Sequence, residues 1–116
     1  MSRSQKVGQQ LKREISQIFH DEIKDPRLGF ITVTHAQVSG DLRYAKIYYS
    51  VLGSAKEQKE SAKAISSAKG FIRGIISHRL KMRFAPEITF IFDKSSEYSL
   101  QIQQAIDRLK EGRNEN

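Results

Sequence analysis

The sequence predicts a two-layer α+β domain in which three strands turn one apolar face toward covering helices. Three observations carry that expectation. Residues 4–24 place Val7, Leu11, Ile15, Ile18, Phe19 and Ile23 mostly three or four positions apart, drawing one apolar stripe along a helix. Residues 43–51 alternate instead, with Ala45, Ile47, Tyr49 and Val51 on one side and Tyr44, Lys46, Tyr48 and Ser50 on the other. A period of two belongs to a strand with one buried face. The elements then run helix, strand, strand, helix-kink-helix, strand, helix, an order that segregates helices to one side of a small sheet.

Asp25-Pro26 stops the first helix, because the residue before proline is pushed out of the α region. "RLG" turns the chain, and the β-branched run "FITVTHAQV" (30–38) forms the first strand. "SGD" (39–41) makes the tight turn of a hairpin whose second strand is 43–51. A polar link leads to a weakly apolar helix over roughly 57–68 and a second helix over about 71–83. Ile72, Ile75, Ile76 and Leu80 keep helical spacing there, while Gly70 and Gly74 interrupt it. Each glycine in a helix interior costs about 1 kcal/mol against alanine, so a bend at Gly70 is expected. Gly74 admits two readings, a neutral surface position or a place where another backbone or an RNA strand comes close.

Ala85-Pro86 ends the second helix, and "EITFIFD" (87–93) is a third strand whose sheet partner the sequence does not specify. Ser95 or Ser96 caps a last helix through Leu109, Gly112 stands where a C-cap belongs, and residues 112–116 form a frayed tail. Residues 1–111 are thus expected to form a single domain, without internal repeats.

Twenty Lys and Arg stand against 13 Asp and Glu in 116 residues, for a net charge of +7. A small basic protein gains affinity for nucleic acid when it displaces counterions from phosphates. The absence of cysteine removes disulfides and thiolate metal sites and fits a reducing cytoplasm. "MSRSQKVGQQ" lacks the apolar centre of a secretion signal, so export is not expected and the location is cytoplasmic. No apolar run approaches the roughly 20 residues needed to cross a bilayer.

The cations concentrate. From Ser61 to Pro86 no acidic residue occurs, yet Lys63, Lys69, Arg73, Arg79, Lys81 and Arg83 do. Lys69, Arg73, Ser77 and Lys81 fall on one stripe of a helix, and its single sign marks it as an RNA contact rather than an ordinary solvated face. Arg79 lies between Ile72 and Ile75 in angle, so its stem runs along the core edge with its head free to reach phosphate. Arg3, Lys6 and Arg13 on the first helix, and Arg43 and Lys46 on the hairpin, are secondary candidates. Tyr44 and Tyr48 flank Lys46. Cross-strand packing under a helix is the expected use of these rings, with stacking on bases as the alternative. Arg27 follows a turn proline and is expected to hold its loop through carbonyls or Asp25.

The stretches "DPRLGFITVTHAQVSGDLRYAKIYYSV" (25–51) and "AKGFIRGIISHRLKMRFAPEITFIFD" (68–93) resemble the ribosome-binding factor A family. Asp25 through Leu28 with Thr32, Val33 and Thr34 resembles a first signature, and Asp41, Leu42, Ala45 and Lys46 a second. A third comprises Gly70–Arg73, Leu80, Arg83, Pro86, Phe90 and Asp93. Gly40 stands where many members carry proline, a substitution of one turn residue for another. The resemblance implies a KH-like fold of type II, with an Ala-x-Gly kink at Ala68, Lys69 and Gly70 in place of a G-x-x-G loop. It also implies late maturation of the bacterial small subunit, with support for 5′-end processing of 16S rRNA and growth in the cold. The partners would be the free or immature 30S subunit and 16S rRNA, met by a monomer. Ribosomal proteins and an assembly GTPase are further partners, and a module that docks those proteins without reading rRNA is the alternative function.

No catalytic residue, metal site or cofactor is expected. Asp25, Asp41 and Asp93 sit at element ends, with nothing in their spacing to gather them about a metal pair. His20, His35 and His78 lack ligand spacing, and no nucleophile triad, P-loop or dinucleotide signature occurs. The basic first helix could lie on an anionic membrane, but its apolar face is needed to cover the sheet.

Overall fold

A computed structural model describes residues 1–94 together with 105, 108 and 109. Its elements are α1 (Arg3–Asp21), β1 (Phe30–Val38), β2 (Tyr44–Leu52), α2 (Ala55–Arg79) and β3 (Glu87–Phe92). The expected last helix, its Gly112 cap and the tail lie outside the described residues.

Both helices start on a serine. The Ser2 hydroxyl accepts from the Gln5 amide while the Gln5 side chain accepts from the Ser2 amide, and Ser54 and Glu57 repeat this reciprocal cap. α1 gives way at Glu22, ahead of Asp25-Pro26, as expected. Arg27 binds Asp25 through both its backbone and its guanidinium, the latter at 2.7 Å. This pair, rather than any ligand, sets the turn into β1.

β1 and β2 form the expected antiparallel hairpin, with an irregularity between Val33 and His35. The reason is legible in the residues. Ile31 and Val33 turn inward on odd positions, whereas Ala36 and Val38 do so on even ones. One extra residue, Thr34, restores the apolar face after that change of parity. β3 runs parallel to β2 on its other side, so the sheet order is β1-β2-β3. α2 supplies the crossover that a parallel pair requires.

The core lies on one side of this sheet. Leu11, Ile15 and Ile18 from α1 meet Ile65, Ile72 and Ile76 from α2 over Ala45, Ile47 and Val51 of the central strand. Among the described residues the opposite face has no helix against it. Tyr44, expected under a helix, is 59% exposed, and Tyr48 packs instead beside His35 with ring centroids 5.7 Å apart.

The expected pair of helices, 57–68 and 71–83, is one continuous helix of 25 residues that passes through Ala68, Lys69 and Gly70 unbroken. Ile65 before the glycine and Ile72 and Ile76 after it are buried. Each such isoleucine contributes about 1.5–3 kcal/mol, which outweighs about 1 kcal/mol for each glycine. Nothing lies within 4 Å of where a Cβ would stand on Gly70 or Gly74. Both are therefore open positions on the outer surface, and no other described part of the chain uses their small size.

The helix also ends earlier than its pattern suggests. Leu80 caps it, Lys81 adopts a left-handed φ of 50°, and the amides of Lys81 and Met82 return to the carbonyls of His78 and Ser77. This is a Schellman closure with lysine where glycine is usual. Arg83 consequently leaves the helix and enters the connection to β3.

Candidate nucleic-acid interface

Four segments converge beside the C-terminal end of α2. The first turns of α1 supply Arg3 and Lys6, the hairpin turn supplies Arg43, α2 supplies Arg73, and the link to β3 supplies Lys81 and Arg83. These six cations line one open cavity of about 880 Å³.

Local structure aims each of them. The Ser2 cap fixes where α1 begins, and so places Arg3 and Lys6 one turn apart on one side. In the hairpin turn, the Ser39 carbonyl accepts from the Leu42 amide at 2.9 Å, and Leu42 takes a φ of 62°. The Asp41 carboxylate accepts from the Ser39 hydroxyl at 2.7 Å and the Arg43 amide at 3.1 Å, which orients Arg43. Those two hydrogen bonds, the hydroxyl's foremost, hold the Asp41 pKa below its ordinary value. Arg73 donates to the Pro86 carbonyl at 3.3 Å, tying α2 to the connection. The Arg83 guanidinium lies 5.6 Å from the Phe84 ring, itself 75% exposed.

Among the described residues, Asp41 and Glu87 are the only acids along the lining, against six cations. None of the six forms an ion pair with a described residue. Unpaired cations held on several fixed elements make a concave positive field suited to a phosphate backbone.

The other four expected cations stand elsewhere. Arg13 is exposed on α1, Lys69 is half-buried on α2, and Lys46 is exposed on the bare sheet face. Arg79 does not have a free head. Its guanidinium binds Glu14 at 3.0 Å and Glu22 at 3.2 Å, joining the end of α2 to α1. The stripe Lys69, Arg73, Ser77, Lys81 is not one line either, because the left-handed turn at Lys81 breaks helical spacing and Lys69 lies outside the cavity. Phe84 on the cavity lining escapes a reading of the sequence. A lone aromatic before Ala85-Pro86 gives no periodic signal by which to find it.

Among the described residues no group of three His, Cys, Asp or Glu side chains is placed to hold a metal. Asp93 accepts a 2.6 Å hydrogen bond from Thr34, and Asp25 and Asp41 serve their turns. No described helix is long and apolar enough to cross a membrane.

Comparison with known proteins bears on this geometry. The family model described as ribosome-binding factor A matches residues 3–106. The chain belongs to the ribosome-binding factor A family. The family's member from Macrococcus caseolyticus is 44% identical over 107 residues, covering 92% of this chain and 94% of that protein. The crystal structure of ribosome-binding factor A from Thermus thermophilus superposes with a TM-score of 0.66 at 24% identity, over 76% of this chain and 93% of that one. That likeness establishes the shared α+β fold. A homology model of the Thermus thermophilus ribosome binding factor A, fitted into a cryo-EM map of a 30S complex, gives a TM-score of 0.64 at 25% identity. It covers 76% of this chain and 92% of that one.

Proposed function

We propose that this protein binds the small (30S) ribosomal subunit through 16S rRNA and holds the immature particle while other enzymes trim its RNA. One observation carries the RNA contact: six cations from four segments line one cavity without an ion pair among the described residues. Family membership supports the ribosomal partner, and the fitted 30S complex of the Thermus relative supports the small subunit in particular. Support for 5′-end processing and growth in the cold follow from the family resemblance, in a non-catalytic, cytoplasmic role without a cofactor.

Cosedimentation with small subunits tests this reading. The parent protein is expected to pellet with subunits at low salt and to be released as salt rises. Arg73→Glu with Lys81→Glu is expected to stay in the supernatant while keeping its helical signal. Equal pelleting by a folded double variant would remove the cavity from the binding surface.

A second reading, docking on a ribosomal protein or an assembly GTPase, is favoured by the outer face of α2. There Phe71 is 55% exposed beside the open positions Gly70 and Gly74. Binding to assembled subunits but not to naked 16S rRNA would favour it.

A further inference from the structure

Among the described residues no helix covers the outer face of the sheet, which continues the cationic cavity and has no part in the core. Strand alternation and register assign its members. Tyr44 stands opposite Glu87, Lys46 lies between Gln37 and Thr89, and Tyr48 lies between His35 and Ile91. Tyr44 belongs to both surfaces, because it also lines the cavity together with Phe84. The exposed rings of Tyr44 and Phe84 thus border six cations that form no ion pair with a described residue.

We infer that Tyr44 and Tyr48 form a stacking platform for the bases of single-stranded RNA whose phosphates occupy the cavity. This rests on the RNA-binding reading above and names its substrate class, a single strand rather than a duplex.

The chemistry follows from geometry. Every base has a π-face, and stacking on an aromatic side chain is available only when the base is not already sandwiched in a helix. Tyr44 and Tyr48 are four residues apart on one strand, a separation of about 13 Å, so neither ring covers the other. Tyr44 offers an exposed ring and Tyr48 a half-buried one beside His35, with Lys46 between them in sequence. The amide of Gln37, paired in register with Lys46, offers a donor and an acceptor to a base edge. On the face itself Lys46 is balanced by Glu87, so the attraction for phosphate comes from the cavity's cations and the face contributes its rings. The His35 ring, 5.7 Å from Tyr48, holds that tyrosine in place. Duplex RNA shields its bases and has only phosphates and sugars to give the cavity. Single strands should therefore bind more tightly than hairpins with the same number of phosphates.

The test uses the full chain with two RNA probes matched in phosphate number, an unstructured strand of about 12 nucleotides and a stable hairpin. Tyr44→Ala is expected to lose about tenfold or more in affinity for the single strand, little for the hairpin, and to keep the parent's salt slope. Tyr44→Phe is expected to restore binding, since the ring and not the hydroxyl stacks. The chain has no tryptophan, so Tyr44→Trp gives one reporter whose fluorescence should be quenched by the strand alone. Tyr44 is exposed, so its variants keep the fold. Parent-like affinity of Tyr44→Ala and Tyr48→Ala for the single strand overturns the inference. If Lys6→Glu with Lys81→Glu still weakens binding in that case, the cavity reading stands and only stacking is lost. If it too changes nothing, both fall. A Tyr44→Ala protein that loses subunits yet keeps the single strand would make this face a protein contact, and would likewise overturn the inference.

Discussion

Two arginines near the end of α2 show how differently one charge can be used. Arg79 reaches toward α1 and finds Glu14 and Glu22, and its side chain is 29% exposed. Arg73, less than two turns earlier, reaches the carbonyl of Pro86 and has no carboxylate partner among the described residues. Both belong to the same acid-free run of sequence. The acids that decide between them come from α1 and its C-terminal cap, more than fifty positions away. Local charge density therefore identifies a candidate binding stretch, whereas the location of the opposing acids decides which cations remain available.

Substitutions can break that contrast. The largest effect is expected from reversing two cavity charges. Lys6→Glu with Lys81→Glu removes two charge-assisted contacts and should cost about 3 kcal/mol or more of RNA affinity, roughly 100-fold, with little change in thermal stability. Arg79→Ala is expected to do the opposite. It should lower unfolding stability by about 0.5–1 kcal/mol, since both ion pairs are partly solvated, and leave RNA affinity within about twofold. Chemical denaturation and filter binding on the same preparations check both.

Lys81 sharpens the comparison, because it carries a cost that Arg79 does not. Lysine at a φ of 50° is strained where glycine is free. Lys81→Gly should raise stability by about 0.5–1 kcal/mol and weaken RNA binding together, a trade between the two readable in one variant. Asp41→Asn should act on the cavity from its acidic side. The amide keeps the turn by accepting from the Arg43 backbone, while the field loses one negative charge, so affinity should rise by about two- to fivefold.

The smallest effect concerns pH. The folded pKa of Asp41 is below its unfolded value, through the Ser39 hydroxyl first and the Arg43 amide second. Its stabilisation of the hairpin turn is therefore complete above the unfolded pKa, about 3.9, and drains away as pH falls through the lower folded value. Asp25, held down chiefly by the Arg27 side chain, behaves alike. Stability should vary little between about pH 6 and 8 on account of either group, as a urea midpoint series would show.

The same distinction between local and remote information explains what was legible beforehand. The stripe Leu11, Ile15, Ile18 and the alternation Ala45, Ile47, Val51 are local patterns, and they yield α1, the hairpin and the core as found. The parallel pairing of β3 with β2 depends on a contact across the whole of α2, which no local pattern records. The two helices expected on either side of Gly70 are one, because packing of Ile72 and Ile76 carries α2 through that position. Lys81 carries no signal of a left-handed turn, because glycine is the residue that ordinarily announces one. Six of the ten expected RNA-binding cations line the cavity, which residue types could suggest and only the tertiary fold could assemble. Arg79 is the instructive exception, a cation correctly placed at the core edge whose two acidic partners the spacing did not reveal.

The most direct measurement is the salt dependence of RNA binding for three proteins side by side: the parent, Arg79→Gln, and Lys6→Gln with Lys81→Gln. If about five cations meet phosphate, the parent's log K should fall with log salt at a slope of roughly −3.5 to −4.5. The account predicts that Arg79→Gln keeps that slope, and that the cavity variant flattens it by about 1.5–2. Equal slopes for the cavity variant and the parent, or a slope flattened by Arg79→Gln alone, would contradict it.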